Sequence, residues 1–159
     1  MRTSLRRIGS MLLALPLVIA GWVGVPGVAA AAVVVPPGGA GHTCSGYHYS
    51  TPYSYWQTCA WADHQYVWFT VNFGNSGDEA WYPEVIAIDY ISSGSFKSCP
   101  AGYWETPEFV IGRNATRSTP RLSCVITRRP GAYASNAYVE GNPLGYDSAT
   151  LRSPTLQVQ

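Results

Sequence analysis

The sequence predicts an all-β domain, a single antiparallel β-sandwich of about seven or eight strands stapled by two disulfides. Three observations predict it. Tyr66-Val67-Trp68-Phe69-Thr70-Val71-Asn72-Phe73 alternates with period two, so Val67, Phe69, Val71 and Phe73 share one face and Tyr66, Trp68, Thr70 and Asn72 the other. Glycine, proline, serine and threonine interrupt the chain at short intervals, and no segment sustains a capped helical period. Four cysteines, at positions 44, 59, 99 and 124, lie downstream of an export-type N-terminus.

That N-terminus comes first in the chain. Arg2, Arg6 and Arg7 precede an apolar run from Met11 to Val25, and Val28-Ala29-Ala30-Ala31-Ala32 follows. The order is that of a secretory signal peptide over residues 1–32, with cleavage after Ala30 or Ala32 fitting equally well. An uncleaved anchor is the alternative, since a span needs roughly 20 apolar residues. Pro16, Pro26 and several glycines make that helix a poor one. A secreted chain with no stable membrane span after cleavage is therefore expected. Loss of the three arginines takes the formal charge from +1 to −2, and no long block of like charge remains. Nothing electrostatic marks a nucleic-acid partner.

Residues 33–43, opening Val-Val-Val-Pro-Pro-Gly-Gly-Ala-Gly, read as a flexible leader, with the folded domain over 44–159. Strands are expected near 46–49, 55–60, 65–73, 81–91, 108–111, 121–127, 132–139 and 155–158. Gly74-Asn75-Ser76-Gly77-Asp78 supplies residues that tolerate positive φ, so Trp81 to Ile91 reads as the strand paired with 65–73. Arg129-Pro130-Gly131 is a turn, and Asn142 to Asp147 a loop before the final strand. In an oxidising compartment four cysteines imply two disulfides. Pairing between sequence neighbours, Cys44–Cys59 and Cys99–Cys124, is preferred, with the other two connectivities left open. A metal site combining these cysteines with His42, His48 or His64 is the competing use, and the lack of a Cys-x-x-Cys pair argues against it.

Val71-x-Phe73-x-Asn75-x-Gly77, followed by Trp81, resembles the strand-and-turn signature of bacterial extracellular immunoglobulin-like sandwiches. Family 2 carbohydrate-binding modules and bacterial cell-adhesion-related domains carry such a signature. Pro130-Gly131-Ala132-Tyr133, leading to Ala137-Tyr138-Val139-Glu140, is similar to a late strand of the adhesion-type domains. The resemblance implies an immunoglobulin-like topology and a bacterial, extracellular setting.

Residues 47–61 hold Tyr47, Tyr49, Tyr53, Tyr55, Trp56 and Trp61, interleaved with polar residues. Sugar rings pack their C–H faces on flat aromatic surfaces while their hydroxyls bond to polar neighbours, so these six are the candidate ligand contacts. The bland alternative is that the rings fill one end of a small core over a Cys44–Cys59 bridge. Trp68, on the polar parity of its strand, could join either arrangement.

Catalysis is less well supported. Asp63-His64 are adjacent, and adjacent strand residues point to opposite faces. Glu105, Glu108, Asp78 and Glu79 could offer carboxylates, but glycoside hydrolysis needs two across a cleft. Asn75, Asp78 and Glu79 lack the spacing of a calcium loop. Arg113, Arg117, Arg121, Arg128 and Arg129 concentrate basic charge late in the chain, either to pair across strands or to meet an anionic polymer. Asn114-Ala115-Thr116 is a glycosylation sequon, relevant only in a eukaryotic secretory pathway. The expectation is a non-catalytic extracellular binding module without a cofactor, for carbohydrate or cell-wall polymer. A secreted protein-binding factor (inhibitor, adhesin or toxin component) is the alternative, and a small hydrolase the third.

Overall fold

Val67, Phe69, Val71 and Phe73 are all buried, so the period-two pattern decides which side of the chain the core occupies. The computed structural model describes residues 32–142 and 144–159. The expected signal peptide therefore lies, but for Ala32, outside the described residues. In chain order the strands are β1 (Val33–Val35), β2 (Gly41–Cys44), β3 (His48–Tyr49), β4 (Ser54–Ala62), β5 (Tyr66–Asn75) and β6 (Val85–Ser92). They continue with β7 (Ser95–Glu105), β8 (Ala115–Ser118), β9 (Val125–Thr127), β10 (Gly131–Asn142), β11 (Gly145–Arg152) and β12 (Leu156–Val158). One turn of 3₁₀ helix, Arg121–Ser123, precedes β9.

The first sheet runs β2–β4–β5–β8, with β3 beside β4 and β9 beside β5. The second runs β1–β12–β10–β6–β7, with β11 beside β10. Their inner faces meet in one cluster that includes Trp56, Phe69 and Phe73 from the first sheet and Ile86, Ile88 and Leu156 from the second. Phe69 stacks on Tyr90 across the interface, ring centroids 4.8 Å apart. A buried polar pair interrupts the apolar layer where Thr58 of β4 meets Ser135 of β10, hydroxyl to hydroxyl at 2.6 Å. Each hydroxyl thus satisfies the other inside the core.

The all-β class and the two disulfides stand as expected. Cys44–Cys59 joins residues directly opposite one another on β2 and β4. Cys99–Cys124 ties β7 of the second sheet to the residue just before β9 of the first, closing one side of the layers. Two disulfides are what an oxidising compartment leaves in place. Among the described residues no helix is long and apolar enough to cross a membrane.

Several finer expectations are corrected. The described residues form twelve strands rather than seven or eight, because β7, β8 and β11 were not anticipated and residues 33–44 add two short ones. Residues 33–43 are no flexible leader. Val33, Val34 and Val35 pair in parallel with Leu156, Gln157 and Val158, Val35 is fully buried, and β2 pairs with β4. The segment 108–111 makes only a single bridge, Ile111 to Trp81, and 121–123 is the 3₁₀ turn.

The strand after β5 also lies elsewhere than expected. β6 begins at Val85 and belongs to the second sheet, so residues 76–84 carry the chain across the sandwich instead of reversing it within one sheet. The signature residues hold that crossing. Buried Asn75 donates from Nδ2 to the carbonyls of Glu79 at 2.8 Å and Gly112 at 3.2 Å. Its Oδ1 accepts from the Gly77 N–H at 3.0 Å. Trp81 is fully buried and its indole N–H donates to the Gly141 carbonyl at 3.0 Å. A side chain so committed is a loop staple, and Asn75 has no free oxygen to offer calcium in this arrangement.

Candidate functional site

The outer face of the first sheet carries a group of aromatic residues, and strand register places them. On β4 the outward parity is Tyr55, Gln57, Cys59 and Trp61; on β5 it is Tyr66, Trp68, Thr70, Asn72 and Gly74. Register sets Tyr55 opposite Gly74, Gln57 opposite Asn72, Cys59 opposite Thr70 and Trp61 opposite Trp68. Tyr55 and Trp61 are six residues apart, so the face separates into two aromatic ends about 20 Å apart, with the Cys44–Cys59 bridge and polar side chains between.

At one end three tyrosines converge. The Tyr47 ring meets Tyr55 edge-on at 4.9 Å and Tyr49 at 6.2 Å, while Tyr49 lies 5.7 Å from Tyr55. Tyr49 sits opposite Tyr55 across the β3–β4 pair. The Tyr55 ring covers the backbone of Gly74 so closely that a Cβ there would fall 2.2 Å from it. Glycine at 74 is what lets this ring lie down on the sheet. Tyr47, Tyr49 and Tyr53 are 52, 63 and 59 % exposed, an unusual concentration of accessible ring surface. Shallow grooves flank them, one lined by Tyr55, Asn114 and Thr116 and another by Tyr53, Asp78 and Glu79.

At the other end the rings serve one another. His42, Trp61 and Trp68 stand in one row across β2, β4 and β5, with His42 stacked on Trp61 at 4.3 Å and Trp61 parallel to Trp68 within 6°. The Arg121 guanidinium lies 3.8 Å above the Trp68 ring, a cation–π cap to the row. The Trp61 indole N–H donates to Thr70 Oγ1 at 2.9 Å. Trp61 therefore offers a half-buried edge rather than an open stacking face.

Asp63 sets the position of Arg121. Its Oδ1 accepts from the backbone N–H groups of Gln65 at 2.8 Å and Tyr66 at 2.7 Å, closing the β4–β5 turn. Its Oδ2 accepts from Arg121 at 2.6 Å. Partial burial pushes this carboxyl up, but the two backbone donors and the guanidinium outweigh it and hold its pKa down at about 2. The Asp63-His64 pair is accordingly no catalytic dyad, since the carboxylate is spent on the turn and on Arg121. Glu105 and Glu108 flank an exposed turn in which the Glu108 N–H donates to the Glu105 carbonyl.

Of the six candidate contacts, Tyr47, Tyr49 and Tyr55 come together, Tyr53 is exposed beside a separate groove, Trp61 lies at the far end, and Trp56 is removed from the list. Trp56 is fully buried in the core. The reason was present in the sequence: Tyr55 and Trp56 are consecutive on a strand and must face opposite ways. Gln57, Thr70, Asn72 and Ser118, the polar residues of the same face, were missed; their parity with Tyr55 was the available signal.

The late arginines are mostly committed inside the fold. Arg117 donates to the Val110 carbonyl and lies 4.0 Å over Phe109. Arg128 donates to the carbonyls of Gly39, Pro36, Asp63 and Gln159. Among the described residues no group of three His, Cys, Asp or Glu side chains is placed to hold a metal ion.

No protein-family profile matches this chain, and no curated protein matches it in sequence. Among solved structures, the chain is similar to the X-ray structure of Northeast Structural Genomics Consortium target SoR45. The similarity covers 74 % of this chain and 86 % of that one, at 12 % identity and a TM-score of 0.38. A likeness that distant carries no argument about fold or function.

Proposed function

We infer that this chain is a secreted, non-catalytic binding module that takes a carbohydrate or cell-wall polymer on the outer face of its first sheet. The observation that carries the reading is the exposed pair Tyr47 and Tyr49 packed around Tyr55, with exposed Tyr53 two residues before it in the chain, and Gln57, Asn72 and Ser118 on the same face as Tyr55. Tyrosine gives a sugar both an apolar ring and a polar tip, and the neighbouring amides and hydroxyls can both donate and accept. An immunoglobulin-like topology is part of the proposal. Its support is that the chain changes sheets from β5 to β6, from β7 to β8 and from β9 to β10, as Greek-key sandwiches do. The buried Tyr133 also donates its hydroxyl back to the Arg129 carbonyl at 3.1 Å, in the manner of a tyrosine corner.

Depletion of the mature protein from solution by insoluble polysaccharide or purified cell wall tests the reading. Wild type is expected to be retained, and Tyr49→Ala combined with Tyr53→Ala to lose roughly tenfold or more in affinity with its fold intact. Failure of every glycan and wall fraction to retain the wild type would remove it.

A protein-directed role is the second reading. It draws on Leu122, 81 % exposed on a turn held beside the Cys99–Cys124 bridge, an apolar contact on a braced loop.

A further inference from the structure

The outer face of the second sheet holds a feature that the glycan reading does not use. Ala87 of β6 lies opposite Tyr138 of β10 on one side and opposite Tyr103 of β7 on the other. In the next row Val85 lies between Glu140 and Glu105 in the same way. The parity is outward, since the alternate residues Ile86, Ile88, Ala137 and Val139 are buried and Trp104 packs on the core. Two tyrosines thus flank an alanine floor, two strand spacings or about 10 Å apart at the backbone, each reaching along its own strand toward a glutamate. The central residue has no side chain long enough to fill the space between them.

The two halves match in their hydrogen bonding as well. Tyr103 donates its hydroxyl to Glu105 at 2.7 Å, and Tyr138 donates to Glu140 at 2.6 Å. Among the described residues the ion pairs are His48–Asp147 and Arg121–Asp63, so neither glutamate is neutralised. The Glu105 carboxylate, through its hydrogen bond, pushes the Tyr103 hydroxyl above its ordinary pKa, and the Glu140 charge adds to the effect. The register, which sets Glu105 and Glu140 on either side of Val85, places both carboxylates on one face. With each phenol proton already given to a carboxylate, the slot presents acceptor oxygens, negative charge and ring faces. Its complement is a group with donors only, positive charge and a flat or slender body. Of protein side chains, the guanidinium of arginine and the ammonium of lysine fit that description, arginine better because it also stacks.

We propose that the slot between Tyr103 and Tyr138, floored by Ala87 and rimmed by Glu105 and Glu140, receives an arginine or lysine side chain of a protein partner. The glycan reading concerns the opposite sheet, so either proposal can fail without the other.

Nuclear magnetic resonance titration of the intact domain with acetyl-Gly-Arg-Gly-amide tests it, with the citrulline analogue as the uncharged isostere. Saturable shifts centred on Ala87, Tyr103 and Tyr138 are expected from the arginine peptide and none from citrulline. Glu105→Gln with Glu140→Gln should weaken binding roughly tenfold or more, the loss of a charge-assisted hydrogen bond or two. Ala87→Leu, which fills the slot and keeps both carboxylates, should abolish it, whereas Glu108→Gln should leave it unchanged. Equal response to citrulline, shifts as large around Asp78 and Glu79, no response at all, or wild-type affinity in Ala87→Leu would each overturn the proposal.

Discussion

Asp63 shows how one residue can be read for function and turn out to hold a turn. Its carboxylate accepts from Gln65, Tyr66 and Arg121, and its pKa is held at about 2 against an ordinary 3.8. A carboxyl depressed in the folded state stabilises the fold fully above its unfolded pKa and ceases to do so as pH falls through its folded one. The contribution should therefore fade between about pH 4 and pH 2. With the side chain partly open to water, it amounts to about 1–2 kcal/mol. Urea denaturation across that window checks it: Asp63→Asn is expected to be less stable than wild type at neutral pH and to converge on it near pH 2. Trp56 is the opposite case, a candidate contact that is core. Trp56→Ala should cost about 3–5 kcal/mol, while Tyr53→Ala, at an exposed position, should change stability by about 0.5 kcal/mol or less. Chemical denaturation of the two variants side by side distinguishes core from surface directly.

At the scale of elements, the short strands are held by contacts remote in sequence. β1 has three residues and one neighbour, β12, and its segment is pinned further by Arg128, which donates to the carbonyls of Pro36 and Gly39. The same guanidinium reaches Asp63 and Gln159, so one side chain joins the start of the domain, the β4–β5 turn and the last strand. Arg128→Ala should cost about 2–3 kcal/mol, and Arg128→Lys should recover little, because an ammonium cannot span four carbonyls set in a fork. Hydrogen exchange is the sharper readout, with protection expected to fall first at Val35 and Val158. The leader reading of residues 33–43 failed for this reason. Val33-Val34-Val35 has the composition of a strand, but the strand it joins lies at the other end of the chain, and Pro36-Pro37-Gly38-Gly39 masks it locally. β6 was misplaced on similar grounds. Its aromatic and β-branched content marked it as a strand, and Ile86 and Ile88 are buried, but such content says nothing about which sheet receives a strand.

For the whole molecule, the two disulfides do different things. Cys44–Cys59 fastens neighbours within a sheet, and Cys99–Cys124 fastens one sheet to the other. Closing a loop of about 15 residues contributes roughly 3 kcal/mol in the chain-entropy model, and somewhat more for a longer loop. Cys44→Ala with Cys59→Ala should therefore lower unfolding free energy by about 3 kcal/mol. Because the reduced chain is more expanded when unfolded, the denaturant slope should rise as the midpoint falls.

What the sequence determined unaided is the part carried by local order: an all-β chain, the inward and outward residues of β5, and cysteines enough for two disulfides, with the neighbour pairing preferred among three. Each of these follows from the two-residue repeat of a strand or from chemistry within a few residues. Only the tertiary structure decided which sheet takes each strand, that Trp56 is core while Tyr55 lies flat on Gly74, and that Tyr103 and Tyr138 face each other across Ala87. Those outcomes depend on pairing between segments tens of residues apart, where the free energy is in burial and register rather than in any local preference.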